Sequence, residues 1–117
     1  MITALIPKIF FDKMSEGLDL FVDGIGFKVL YQDDALAVVG RDGAKAYIVE
    51  SAEYAAKDRP EIALETDSIH EIYTDIASRR PDLLHPNMNS VVKRPWGAQE
   101  FALRDKTDVC VIFRQWS

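Results

Sequence analysis

Few residues of this chain are of types that carry reaction chemistry. Its two histidines lie apart: His70 falls within a predicted helix, and His85 precedes Pro86 in a predicted loop. A solvated helix residue is the simpler interpretation for His70, as is a plain loop residue for His85, although a place at a cavity mouth stays open for His85. The one cysteine, Cys110, lies between two valines in a predicted strand, which is typical of a buried, inert thiol. No Ser-His-Asp set, phosphate-binding glycine loop or P-loop is present.

Composition limits the class of protein. A chain of 117 residues with 48% apolar residues is expected to form one domain with one main core. One cysteine excludes an internal disulfide and a cysteine-built zinc site. No segment approaches the roughly 20 apolar residues that span a bilayer, and residues 1–11 lack a basic leader and a cleavage site. These features predict a cytoplasmic protein without a membrane partner.

The charge balance bears on the ligand. The net charge is -5, and the lysines and arginines are scattered, so the clustered cations that bind a phosphate backbone are missing. No nucleic-acid partner is therefore expected. A cationic or neutral small molecule fits this balance better than an anion.

The first half of the chain is predicted to contain a strand, a helix and three further strands. Residues 1–11 form the first strand, with Pro7 as a bend or edge marker. Ser15 is expected to cap a helix with apolar residues at helical spacing up to Ile25, which ends at Gly24 and Gly26. Strands over 27–31, 35–39 and 44–49 follow, with a hairpin turn before the last, where Gly43 is expected to take the positive φ.

The second half repeats this order. A strand over 61–65 leads to a capping-box pattern, Ser68 to Glu71, that opens a helix stopped by Pro81. A long loop with one weak strand covers 82–95, and strands over 98–103 and 109–113 close the chain. The predicted domain is 1–117, divided into a module at 1–50, a connector at 51–59 and a module at 60–117. The sequence therefore predicts an α+β fold of two βαβββ modules.

Several motifs carry a resemblance to a known family. They are Gly26-Phe27, Asp33-Asp34, Val38-Val39 and Arg41-Asp42 in the first half, and Pro95-Trp96-Gly97, residues 100–105 and residues 110–113 in the second. This pattern resembles the bleomycin-resistance proteins of the vicinal oxygen chelate superfamily. The resemblance implies a curved mixed sheet around a cavity, usually in a homodimer whose first strand crosses to the partner near a proline, matched here by Pro7.

The resemblance also implies where a divalent metal would be held in the enzymes of the superfamily. The four positions fall near Pro7, near Tyr47-Ile48, at Glu61 with Glu65, and at Ile112. At most two of them carry a ligand, whereas transition metals need three or four. No metal and no cofactor are therefore expected, and an enzyme is not favoured. Whether Glu50 or Glu61 could join a degenerate site stays open.

Aromatic residues are then the main candidates for holding a ligand. Trp96 matches the family tryptophan that stacks on planar rings, and Tyr31 matches an aromatic position of the first module. Strand aromatics could line the curved face, with a core position as the alternative, and an acidic residue could meet a cationic ligand. These further candidates are Phe101, Phe113, Tyr47 and Glu65. Residues 63–65 lack the tryptophan that bleomycin-binding relatives place nearby, which weighs against bleomycin itself.

Three functions are open at this point. The favoured one is a metal-free binding protein of bleomycin-resistance type that sequesters a planar or cationic antibiotic or metabolite in a dimer cavity. The alternative is a metal-dependent lyase, isomerase or dioxygenase of glyoxalase type. A dimeric domain with a vestigial cavity and a protein partner is the third.

Overall fold

The structure is a computed structural model that describes residues 1–117. The chain divides into two compact units, Met1–Asp58 and Arg59–Ser117. None of the helices has the length and apolar character needed to cross a membrane.

The first unit is a four-stranded sheet with one main helical segment. Its elements are β1 (Lys8–Phe11), α1 (Met14–Leu18), which continues into a π-helical turn (Asp19–Gly24), β2 (Lys28–Gln32), β3 (Leu36–Arg41), β4 (Ala44–Glu50) and α2 (Ala52–Ala55). The strand order is β1-β4-β3-β2. Strands β1 and β4 are parallel, and the other neighbours are antiparallel.

The second unit repeats this topology. Its elements are β5 (Glu61–Glu65), α3 (Ile69–Arg79), a 3-10 turn (Pro81–Leu83), β6 (Val92–Lys93), β7 (Ala98–Arg104) and β8 (Cys110–Trp116). The order β5-β8-β7-β6, with β5 parallel to β8, matches the first sheet strand for strand. The predicted α+β fold of two βαβββ modules is confirmed.

In the first unit, helix α1 packs closely on the sheet at Gly17. A Cβ atom at this position would lie 2.5 Å from Cγ2 of Ile48 and 2.8 Å from Cδ2 of Phe11. Both of these side chains are fully buried. Glycine is therefore required here for the close approach of helix and strand.

The predicted first strand is too long. Regular pairing begins at Lys8, opposite Tyr47, and the last main-chain bond before it runs from the Tyr47 N–H to the Pro7 carbonyl. The residues before Pro7 have no partner strand within the chain, so Met1, Ile2 and Leu5 are exposed rather than buried. The apolar character of this segment therefore does not reflect a place in the core.

The predicted helix caps are confirmed only in part. The N-cap residue of α1 is Lys13 rather than Ser15, whereas Ser68 is the N-cap residue of α3 as predicted but makes no capping hydrogen bond with its side chain. Side chains distant in sequence bind the first N–H group of each helix. Helix α1 begins at Met14, whose N–H donates to the Glu50 carboxylate at 2.8 Å. Helix α3 begins at Ile69 as predicted, but the Ile69 N–H donates to Oε1 of Gln115 at 2.9 Å. Each helix start is thus tied to a strand of its own sheet.

The hairpin between β3 and β4 has the predicted position, but a different residue has the positive φ. Asp42, not Gly43, adopts the positive φ, at 54°. Aspartate is among the residues that tolerate this conformation, so the turn forms without glycine at that point.

Candidate functional site

Helix α3 covers one side of the second sheet, so each strand side chain points either towards this helix or away from it. The Tyr73 ring of α3 lies 5.1 Å from the Phe101 ring, and the Phe101 and Phe113 rings stack at 4.9 Å. Because strand side chains alternate between faces, the neighbours Glu100 and Arg114 point to the opposite side. The side away from α3 is therefore the one that no helix of this unit covers.

This geometry places two of the candidate lining residues in the core. Phe101 is 0% exposed and Phe113 is 2% exposed. The core position, raised as the alternative from sequence, describes both, because the register pairs them directly under helix α3. Their rings are not available on the side away from the helix.

A buried carboxylate holds two arginines on the side of the sheet away from α3. Glu100 is 3% exposed, and its two oxygens accept hydrogen bonds from Nε of Arg94 at 3.2 Å and Nε of Arg114 at 2.5 Å. Burial alone would raise the pKa of this carboxyl, but the hydrogen bonds and charges of Arg114 and Arg94 outweigh it and hold the pKa below its ordinary value. Glu100 is thus kept ionised and fixes two guanidinium groups.

Each of these arginines lies against a tryptophan. The Cζ atom of Arg94 is 5.8 Å from the ring centroid of Trp96, and that of Arg114 is 5.9 Å from the centroid of Trp116. Both distances fall within the range of cation–π attraction. The indoles nevertheless remain 58% and 52% exposed, so both offer ring surface to a ligand.

Glu65 completes the group. It lies opposite Arg114 in the parallel pairing of β5 with β8, and its Oε2 accepts the indole N–H of Trp116 at 2.7 Å. This bond fixes the position of the Trp116 ring. We call the set formed by Glu65, Arg94, Trp96, Glu100, Arg114 and Trp116 the tryptophan–arginine face.

Of the candidates predicted from sequence, Trp96 and Glu65 both belong to the tryptophan–arginine face. Sequence reasoning missed Arg94, Glu100, Arg114 and Trp116. The available signal was the alternation along β7 and β8, in which Glu100 and Arg114 are charged residues whose neighbours two positions away on the same face are apolar. Trp116 lies beyond the end predicted for the last strand, which in fact continues to this residue.

Tyr31 and Tyr47 lie together in the first unit. Val38 of the central strand β3 pairs with Tyr31 on one side and with Tyr47 on the other, so all three side chains share one face of the sheet. Tyr31 is exposed and donates its hydroxyl proton to Asp33 at 2.9 Å. This hydrogen bond, with the charge of Asp33, raises the pKa of the Tyr31 phenol.

The first unit also has an open pocket of about 460 Å³ at the hairpin end of its sheet. Lys28 and Lys45 lie on either side of Gly40, and none of the predicted site residues lines the pocket. Gly40 lines the pocket, and a Cβ atom at this position would lie 3.0 Å from Leu30 and 3.2 Å from the Ala44 carbonyl. A larger residue would therefore crowd the pocket.

The residues do not fit the metal site of the superfamily enzymes. No group of three or more His, Cys, Asp or Glu side chains is placed to hold a metal ion. Glu61 and Glu65 lie on β5 opposite Cys110 and Arg114, and the position next to them on β8 is Ile112. The Glu50 carboxylate is bonded to the start of helix α1.

The fold belongs to a known structural class: solved structures of bleomycin-binding, bleomycin-resistance and glyoxalase-related proteins share it. A bleomycin-binding protein from Streptomyces verticillus, complexed with copper(II)-bleomycin, is 22% identical, with a TM-score of 0.75 over 97% of each chain. A bleomycin-binding protein complexed with bleomycin is 15% identical, with a TM-score of 0.79 over 99% of this chain and 100% of that chain.

An enzyme has the same fold. Lactoylglutathione lyase from Agrobacterium tumefaciens is 11% identical, with a TM-score of 0.74 over 98% of this chain and 95% of that chain. No protein-family model and no curated protein matches the sequence. The resemblance predicted from sequence is thus confirmed as a likeness of fold.

Proposed function

We propose that this chain is a metal-free small-molecule binding protein that sequesters a planar or cationic antibiotic or metabolite, with a cavity completed in a homodimer. The observation that carries the proposal is the tryptophan–arginine face. Two half-exposed indoles stand beside a buried charged group on the side of the sheet that no helix covers.

The arrangement of the indoles favours a planar ligand. A tryptophan ring has two faces, and in Trp96 and Trp116 an arginine lies over one of them, which leaves the other for a flat molecule. The hydrogen bond from Trp116 to Glu65 and the ion pairs of Glu100 hold these groups in place before a ligand arrives. Such preorganisation reduces the entropy lost on binding.

Sequestration without turnover fits the residues on this face. The face supplies stacking surface, guanidinium donors and one exposed carboxylate, but no nucleophile with an adjacent base and no metal-ligand set. Structural neighbours that were solved with bleomycin bound lend support to a role in binding.

The test is a fluorescence titration with bleomycin as the first planar, cationic probe. Both tryptophans of the chain lie on the tryptophan–arginine face, so binding there is expected to quench the emission saturably. Trp96→Ala and Trp116→Ala should each reduce the amplitude and weaken binding by about tenfold, since loss of a stacked indole costs about 1–3 kcal/mol by analogy with base–aromatic stacking.

Tyr54→Phe is the matched control. Tyr54 is an exposed aromatic residue of the first unit that contacts Phe10, and its replacement should leave the titration unchanged. Equal binding by the wild type and both tryptophan variants would refute a role for this face. If bleomycin does not quench, a panel of flat aromatic compounds is the next probe, and absence of saturable binding across that panel would refute the proposal.

A further inference from the structure

We propose that the tryptophan–arginine face recognises a planar aromatic anion, in which a carboxylate on a flat ring binds the free edges of Arg94 and Arg114 while the ring stacks on an indole. This inference rests on the planar ligand of the proposed function, and it replaces the cationic alternative of that proposal with an anion. The formal charge of the whole chain, -5, indicates the opposite preference, whereas the two arginines make the surroundings of Glu100 locally positive.

The first step is the hydrogen-bond count of the two arginines. An arginine has five N–H donors, one on Nε and four on the two Nη atoms. Glu100 takes only the Nε donor of Arg94 and of Arg114, and neither guanidinium donates to any other group of the chain. Each therefore keeps its Nη edge, which has the spacing that a carboxylate needs for two parallel hydrogen bonds.

The second step is the local charge. Two guanidinium groups share one carboxylate, which leaves one positive charge in excess at Glu100. The side chains of Arg94 and Arg114 are 31% and 25% exposed, so they are partly withdrawn from water and still accessible. Exposed charges farther away than about 8 Å act weakly here, because salt screens them under physiological conditions.

The third step concerns Glu65, the one other carboxylate of the face. It already accepts the indole N–H of Trp116. Its role is thus to orient the ring on which a ligand stacks. It lies on the exposed strand β5, where its charge is well solvated and repels an approaching anion only weakly.

The combination specifies one ligand chemistry. Flat apolar surface on Trp96 and Trp116 lies within 6 Å of two guanidinium groups that have unused donors. A neutral ring would leave these donors to water. A cationic ring would meet two like charges, so an aromatic carboxylate uses the face most fully.

The experiment compares three probes with the same ring and different charge by isothermal titration calorimetry. They are 2-naphthoate, 2-naphthylmethanol and 2-naphthylmethylammonium. We expect 2-naphthoate to bind at least about tenfold more tightly than the alcohol, since hydrogen bonds between a carboxylate and a guanidinium group are stronger than those of a neutral hydroxyl. Its affinity should fall as salt is added, whereas that of the alcohol should not.

Variants then locate the anion. Arg94→Gln and Arg114→Gln should each remove most of the preference for 2-naphthoate over the alcohol. Arg104→Gln is the matched control. Arg104 is an exposed arginine on the same strand and the same side of the sheet as Glu100, and its replacement should leave the preference for 2-naphthoate unchanged. If loss of Arg114 disturbs folding, as judged by circular dichroism, Arg94→Lys retains the charge without the planar fork and should bind 2-naphthoate more weakly.

Each outcome decides between the two proposals. If the three probes bind equally, or the ammonium binds best, the anion is refuted while a planar-ligand function stands. An unchanged preference in Arg94→Gln and Arg114→Gln would also refute it. If none of the three probes binds, the anion proposal fails together with stacking on this face.

Discussion

Replacement of Gly17 by alanine tests the packing of helix α1 on the first sheet. The added Cβ would lie 2.5, 2.8 and 2.9 Å from three carbon atoms of Ile48 and Phe11. Ordinary contacts between carbon atoms are about 3.5–4.0 Å. The helix must therefore move away from the strand, or both buried side chains must change rotamer.

The magnitude follows from two opposing contributions. Overpacking of a buried site costs about 1–3 kcal/mol, and three short contacts with fully buried side chains place this case near the upper limit. Alanine regains about 1 kcal/mol through its higher helix propensity. We expect a net loss of about 2 kcal/mol in the free energy of unfolding, which lowers Tm by about 8 °C in a domain of this size.

The assay is thermal unfolding followed by far-ultraviolet circular dichroism, with Gly43→Ala as the control. A Cβ on Gly43 has no atom within 4 Å, and its φ is not positive, so this variant should keep the Tm of the wild type. A Gly17→Ala protein as stable as the wild type would show that the close approach of α1 and β4 is not required.

Two further predictions concern charge and association. Burial raises the pKa of Glu100, but Arg114 and Arg94 lower it more, so its folded-state pKa lies below the ordinary 4.5. The stability that comes from its ionised form is therefore present above pH 4.5 and is lost as the pH falls through the folded-state pKa. The Glu100→Gln protein lacks this contribution. Its free energy of unfolding, measured as the pH is lowered through this range, should therefore fall less than that of the wild type. Removal of residues 1–6, which are apolar and mostly exposed, should leave Tm nearly unchanged but shift the proposed homodimer towards monomer by light scattering, and an undiminished dimer would contradict a role for this segment.

The element order was predictable because each element has a local signal. Alternating apolar residues marked the strands, and β5 has the predicted bounds, Glu61–Glu65. Local signals identified Ser68 as the N-cap residue of α3, but not the long-range hydrogen bonds at the two helix starts, since Glu50 and Gln115 act on helices that begin 36 and 46 residues earlier in the chain. A local pattern contains no information on such contacts.

The site was partly predictable for a related reason. Alternation shows that Phe101 and Phe113 can share a face, but it does not show which face helix α3 covers. The phenylalanines face helix α3, and Glu100 lies buried on the opposite face, where it holds Arg94 and Arg114. Trp96 was selected through its motif, whereas the other residues of the tryptophan–arginine face come together only in the folded sheet.

The margins of the two sheets have a consequence for aggregation. Strand β6 has only two residues, β5 begins and ends with a glutamate, and β2 begins with a lysine and is interrupted by a bulge at Leu30. Short length, charge and bulges all hinder main-chain pairing between molecules. Addition of strands from other copies is therefore disfavoured at both margins of the second sheet and at the β2 margin of the first, which directs any association of this chain to its side-chain surfaces, to the β1 margin and to residues 1–7.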